Sequence, residues 1–221
     1  MTYTITMNTY VRRALNSLTI GSLILFVLRL FINWSIDYWY LSWNLILAFI
    51  PLFIMSFLIR WLKKHRMSHP SSMALIFVWL SFLPNSFYII TDYIHLLDTK
   101  SVSIMLDIIL IFLVTLTGLI AGFASVHMFE KQLMKRYSRQ FSRGAIIAIF
   151  LASSFAIYLG RYLRWNTWDI VLNPAGLLFD VSDRLINPTA YSNTFSTTAI
   201  FFVFLTLMYF AILYTCKPAK K

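Results

Sequence analysis

The chain has 221 residues, 59% of them hydrophobic and only 12% charged, with a formal net charge of +11 and a mean hydropathy of +0.72. Soluble domains carry about 25% charged and roughly 45–50% apolar residues, so an ordinary soluble domain is excluded. The prediction is an all-α, polytopic transmembrane helical bundle forming a single transmembrane domain over residues 1–221.

The first apolar run follows Arg12 and Arg13, as in a signal peptide. It is long, contains Arg29 and lacks a small-x-small cleavage site, so it reads as a retained first span. Six segments reach the approximately 20 apolar residues that a crossing needs: 14–32, 40–59, 72–90, 103–128, 144–161 and 194–215. The fifth is short without its last turn, where Arg161 reaches the interface on its long stem. The lone cysteine, Cys216, excludes an internal disulfide.

Lysine and arginine orient the spans. Arg12 and Arg13 share one set of ends with Arg60, Lys63, Lys64 and Arg66. Lys131, Lys135, Arg136, Arg139, Arg143, Lys217, Lys220 and Lys221 fall there too, with Glu130 as the one acid among them. Asp37, Asp92, Asp98, Asp169, Asp180 and Asp183 fall at the opposite ends. The pattern predicts a cell-membrane protein with both termini cytoplasmic. In a soluble chain the basic surplus would suggest nucleic acid; here it faces anionic lipid headgroups, and no nucleic-acid partner is expected.

The third span ends in L-P-N-S-F-Y-I-I-T-D-Y-I-H, from Leu83 to His95. If the helix continues past Pro84, then at about 100° per residue Asn85, Tyr88, Asp92 and His95 lie within an arc of roughly 80° on one face. Thr91 lies beside it. The predicted topology places this stripe in the outer layer with Arg29, Asp107, Arg161, Arg164 and Asp169. Ionisable residues at membrane depth face partners or water, and three acids with three arginines balance. A carboxylate beside an imidazole suits general acid–base work or half a metal site, so Asp92 and His95 are the candidate catalytic residues. The plain alternative is an interfacial helix end in headgroup water. Asp107 and Asp169 complete a divalent metal site only if the fold brings them close, and that reading is not the favoured one. Asn85 also has a simple role, satisfying a carbonyl freed by Pro84.

The fifth span closes in G-R-Y-L-R-W-N-T-W-D, from Gly160 to Asp169. On a helix, Arg161 and Arg164 would present two planar forks side by side, which suits a phosphate or carboxylate. Pairing with Asp92, Asp107 or Asp169 is the structural alternative. Asn166 and Asp169 add an amide and a carboxylate, and Trp165 and Trp168 suit an interfacial belt. Beyond them Leu177, Leu178, Val181 and Leu185 repeat at helical spacing, with Asp180, Asp183 and Arg184 between. They predict a short extracytoplasmic amphipathic helix within 172–188, lying on the outer surface as a lid over the polar layer. His65 and His69 form H-x-x-x-H, a zinc-compatible spacing, in a basic loop where lysines repel a cation. His127 reads as an interfacial residue. No Walker loop, dinucleotide fingerprint, nucleophile elbow or zincin motif occurs.

The stretches Leu83–His95 and Gly160–Asp169 resemble the two signature segments of the bacterial membrane proteins called domain of unknown function 1361. The resemblance covers most of the chain, with one departure: Ser86-Phe87 stands where an alanine-proline pair is expected. It implies an integral membrane protein and brings no activity, substrate or catalytic residue. Two functions stay open. One is an enzyme or binding protein for an anionic lipid-linked or cell-envelope substrate. In it Arg161, Arg164, Asn85, Tyr88, Asn166 and Asp169 bind, and Asp92 and His95 move a proton or hold a metal. The other is a non-catalytic transporter component or accessory subunit whose polar layer is an ion-pair network.

Overall fold

The computed structural model describes residues 9–34, 38–96 and 103–215. Asp37, Asp98, Cys216, Lys217, Lys220 and Lys221, used in the orientation and cysteine arguments above, lie outside the described residues. The helices are α1 (Thr9–Asn33), α2 (Trp39–Trp61), α3 (Pro70–Tyr88), a 3-10 helix (Ile89–Leu96), α4 (Ile104–Leu133), α5 (Arg139–Tyr162), α6 (Asp169–Leu172), α7 (Pro174–Ile186) and α8 (Ser192–Thr215). No strand occurs among the described residues. Six segments are long and apolar enough to cross a membrane, α3 counting together with the 3-10 helix. The chain is therefore an all-α, multi-pass membrane protein.

The fifth span gains its length at its start. Ser138 Oγ accepts the Phe141 N–H at 3.2 Å, a side-chain cap that satisfies one of the free donors of a helix N-terminus. The helix consequently starts at Arg139, before the apolar run that begins near Gly144.

Contacts within the chain group it into two compact units, Met1–Tyr137 and Ser138–Lys221. In the first, α2 packs on both α3 and α4, and α1 packs on α4. Leu41, Leu45 and Ala48 of α2 meet Ile89, Leu110, Ile111 and Val114 in one buried cluster. The α3–α4 approach is set by glycine. A Cβ on Gly118 would stand 2.8 Å from the Ser86 carbonyl oxygen, and one on Gly122 would stand 2.6 Å from Phe87 Cε1. Hydrocarbon gives apolar helices no hydrophobic reason to associate, so close backbone approach through small residues four apart carries the packing. Ser86 and Phe87, the residues that depart from the resembled pattern, sit at this junction. Ser86 Oγ donates to the Ala48 carbonyl at 2.7 Å, joining α3 to α2. The fully buried Phe87 packs against Phe123, with ring centroids 5.1 Å apart.

In the second unit α5 packs on α8. Ile146, Phe150, Ser154 and Ile157 recur at helical spacing on the buried side of α5, and Phe150 meets Tyr209 edge-on at 5.3 Å. Thr194, Thr198, Leu205 and Tyr209 are the buried residues of α8.

Candidate functional site

The stripe at the end of the third span takes a different coil from the one expected. The α-helix stops at Tyr88, and Ile89–Leu96 winds as a 3-10 helix. Three consecutive β-branched residues, Ile89, Ile90 and Thr91, crowd an α-helical turn. Thr91 Oγ1 also donates to the Tyr88 carbonyl at 2.8 Å, giving the backbone a competing local bond. At three residues per turn, Asp92 and His95 fall in one row with Ile89, roughly 120° from the row of Tyr88, Thr91 and Ile94. Burial follows that period. Ile89 and Asp92 are buried and His95 half-buried in the first row, while in the second Tyr88 and Thr91 are half-buried and Ile94 exposed. Asn85, Tyr88, Asp92 and His95 thus do not share the single α-helical face that the spacing predicts. Asn85 Nδ2 donates to the Phe82 carbonyl of its own helix at 3.0 Å, the backbone-satisfying role expected near Pro84.

Asp92 and His95 meet α2 instead. Asp92 is only 2% exposed, and its Oδ2 accepts Asn44 Nδ2 at 2.8 Å. The His95 ring lies 5.0 Å from Tyr40, tilted by 56°. Tyr40 and Asn44 are four apart on α2 and so share a face. At the same end of this unit Arg29 of α1 donates from Nε to Asp107 Oδ1 of α4 at 2.8 Å, with both side chains sealed at 2% and 0% exposure. Arg29 Cζ sits 4.0 Å above the Tyr38 ring, a cation–π contact that strengthens when water is excluded. The expectation that outer-layer acids and arginines neutralise one another is thus met for Arg29 and Asp107. Among the described residues no group of three or more histidine, cysteine, aspartate or glutamate side chains could hold a metal ion.

Histidines at the basic end of this unit are engaged locally. His65 stacks on Trp61 at 3.9 Å and 7°. His69 Nδ1 accepts the Ser71 N–H at 3.4 Å, capping α3. His127 is partly exposed, with Nδ1 3.7 Å from Glu130 Oε2.

In the second unit α5 ends at Tyr162, and Arg164 takes a left-handed backbone with φ 59°. The Trp165 N–H turns back to the Leu159 carbonyl at 3.2 Å. That conformation costs an L-residue roughly 1–2 kcal/mol and turns the chain away from the helix axis. Arg161 therefore stands on α5, half-buried, while Arg164 stands off it, exposed. The two forks are not side by side on one helix, a correction to the spacing argument. Asn166 and Asp169 do come together: the Asn166 N–H donates to Asp169 Oδ2 at 2.6 Å, and Asn166 Nδ2 reaches the Arg164 carbonyl at 3.4 Å.

The amphipathic helix is α7, and its faces are distributed differently from the sequence grouping. Leu177 and Val181 are half-buried beside Asp180 and the buried Arg184, whereas Leu178 and Leu185 are exposed with Phe179 and Ile186. Spacings of three and four put Leu177, Asp180, Val181 and Arg184 on one side. That side carries the polar wiring. Arg184 Nη1 donates to Asp180 Oδ1 at 3.1 Å and to the Asp180 carbonyl at 2.8 Å, and Cζ lies 4.8 Å from the Tyr191 ring. Trp165 Nε1 donates to Asp180 Oδ2 at 2.7 Å. Tyr191 Oη donates to Asp183 Oδ2 at 2.6 Å, and Asn187 Nδ2 to Oδ1 at 2.8 Å. The Tyr191 hydroxyl, then the Asn187 amide, hold the Asp183 carboxyl below its ordinary value. The same hydroxyl–carboxylate bond pushes the Tyr191 phenol up. Within this unit neither Arg161 nor Arg164 forms an ion pair among the described residues.

Sequence reasoning did not single out Tyr38, Tyr40, Asn44 or Tyr191. Asn44 had a readable signal as the lone amide in an otherwise apolar second span, and Tyr38-Trp39-Tyr40 is an aromatic run at its start. Gly118 and Gly122 also had one in their spacing of four.

Neither a search of curated proteins nor one of solved structures found a match to this chain. Residues 43–212, from α2 to most of α8, match the family described as Protein of unknown function (DUF1361). The match covers both signature stretches and the polar residues just placed on them, and the chain belongs to that family.

Proposed function

We propose that this multi-pass protein forms one transmembrane domain in the cell membrane, with both termini cytoplasmic. In this reading its outer-leaflet end binds or transforms an anionic lipid-linked or envelope substrate. In the second unit Arg161 and Arg164 attract the anion, with Asn166 and Asp169 as further polar contacts; in the first unit Asn85 and Tyr88 are the polar groups that precede Asp92. Asp92 is the proton acceptor, with His95 one 3-10 turn away. The observation that carries the reading is the difference among the arginines. Arg29 is neutralised by Asp107 and Arg184 by Asp180, while Arg161 and Arg164 close a span without an ion pair inside their own unit. A half-buried and an exposed guanidinium fork, both without an acid partner in their unit, are suited to phosphate.

The test is retention of phosphatidylglycerol against phosphatidylcholine by the purified protein, measured by native mass spectrometry. Arg161→Gln with Arg164→Gln is expected to abolish the preference; an unchanged preference refutes the anion site. Asp92→Asn keeps an acceptor for Asn44 and is expected to melt like wild type yet fail to complement a deletion strain. A stable and functional Asp92→Asn removes the proton-acceptor role. Orientation is checked with introduced cysteines: Lys64→Cys and Arg139→Cys should label only from the cytoplasm, and Asp98→Cys only from outside. A second reading, a non-catalytic transporter component or accessory subunit, is favoured by the complete burial of Arg29–Asp107, since a sealed pair braces helices without meeting any substrate.

A further inference from the structure

The charged and apolar sides of α7 are arranged the reverse way from those of a surface helix in a soluble protein. Its polar side is fixed to its own unit through Asp180, Asp183 and Arg184, with Trp165 and Tyr191 as partners. Its other side presents Leu178, Phe179, Leu185 and Ile186, and the adjoining α6 presents Val171 and Leu172, each between 60% and 80% exposed. In α7 these residues recur as adjacent pairs seven apart, one stripe of the helix. Large exposed apolar patches mark a surface that another phase or molecule covers.

Two features identify what covers it. First, α7 has 13 residues, about 20 Å at 1.5 Å per residue, against roughly 30 Å of hydrocarbon, so it cannot be a crossing. Second, both its ends are tied to spans. The chain enters from the end of α5 at Tyr162 and leaves into the start of α8 at Ser192. These two helices pack together, with Phe150 against Tyr209. The connecting segment is thereby held at one membrane boundary, beside an α8 whose Ile200, Val203 and Leu207 are themselves exposed apolar side chains. Trp165, Trp168 and Tyr191 flank it, amphipathic rings suited to headgroup depth.

We infer that α6 and α7 lie in the bilayer interface with this apolar stripe immersed among lipid acyl chains. The segment is a membrane-embedded ledge and not a water-facing lid. The inference rests on the fold of the second unit alone and stands whether or not Arg161 and Arg164 bind an anion.

The test is spin labelling of the full chain in phosphatidylethanolamine–phosphatidylglycerol proteoliposomes, in a Cys216→Ser background. Labels are placed by Phe179→Cys and, separately, Ile186→Cys. Val203→Cys serves as the lipid reference and Lys64→Cys as the water reference. Because both test positions are exposed, neither substitution disturbs packing, and the two check each other. Collision with oxygen, which partitions into lipid, and with a water-soluble nickel chelate is read by power saturation. The expected result at 179 and 186 is an oxygen-to-nickel ratio severalfold above that at 64 and approaching that at 203. Nickel contact equal to that at 64 overturns the inference and restores a solvent-facing lid. Loss of both oxygen and nickel contact also overturns it, since a protein surface then covers the stripe.

Discussion

Each unit contains an arginine–aspartate pair, and the two behave as different devices. Arg29 and Asp107 are 78 residues apart, join α1 to α4, and are shut away from solvent at 2.8 Å. Asp180 and Arg184 are one helical turn apart on α7, with the aspartate partly exposed. The first pair fixes which helices are neighbours. The second mainly fixes which side of a short helix faces its unit. Identical chemistry yields a tertiary clamp or a local orientation device according to sequence separation and burial.

The largest effect should come from the clamp. Removing one partner of a buried pair leaves an uncompensated charge and costs about 3–5 kcal/mol, whereas replacing both with apolar residues of similar volume is often neutral. Asp107→Ala or Arg29→Met should therefore lower the melting temperature in detergent sharply, and Arg29→Leu with Asp107→Leu should recover most of the loss. The corresponding Asp180→Asn should cost at most about 1 kcal/mol, as for a partly exposed pair. Equal losses at Asp107 and Asp180 would erase the distinction.

A smaller effect sharpens the contrast without touching a charge. Gly122→Ala would place a methyl 2.6 Å from Phe87 Cε1, and such overpacking costs about 1–3 kcal/mol. Where the two units respond separately, the loss adds to that of Asp180→Asn. Melting of the single and double variants checks this, and a non-additive result would show that the units do not respond separately.

The smallest effect concerns Asp183 and Tyr191. Asp183 titrates below its ordinary value of about 3.8, so its contribution is full above that pH and is lost as pH falls through the folded value. Tyr191 titrates above its ordinary value of about 10.0, so its contribution is full below that pH and is lost as pH rises through the folded value. The largest cause of both shifts is one hydrogen bond, Tyr191 to Asp183. The melting difference between wild type and Tyr191→Phe should be greatest between these limits and shrink beyond either. A difference independent of pH would show that the bond contributes nothing.

The spans were legible because hydropathy and length register a property of whole segments; every predicted crossing has its helix. What sequence spacing did not carry was the coil. Asp92 and His95 were assigned to an α-helical face with Tyr88, but three β-branched residues and a threonine back-bond select a tighter winding. A single positive φ at Arg164 likewise separates it from Arg161, and φ is not written in the spacing of two arginines. The partners of Asp92 and His95 were hidden for another reason. Asn44 and Tyr40 lie on a different helix, α2, and which residues meet across two helices is set by tertiary packing rather than by local pattern. The apolar stripe of α7 was visible as a period, but the side on which Arg184 would be buried was not.

The 3-10 segment also changes distance. From Pro70 to Tyr88, the 18 steps between the 19 residues of α3 advance about 27 Å at 1.5 Å per residue, and four further steps of about 2.0 Å bring Asp92 to roughly 35 Å. A continuous α-helix would leave it near 33 Å, and bilayer hydrocarbon is about 30 Å thick. With Pro70 at one edge of the hydrocarbon, Asp92 stands past the other edge, at headgroup depth. Its seclusion is then the work of neighbouring side chains, not of lipid. How fast its carboxylate exchanges a proton is set by how often that packing opens, a clock kept by the protein and insensitive to how thick the membrane is.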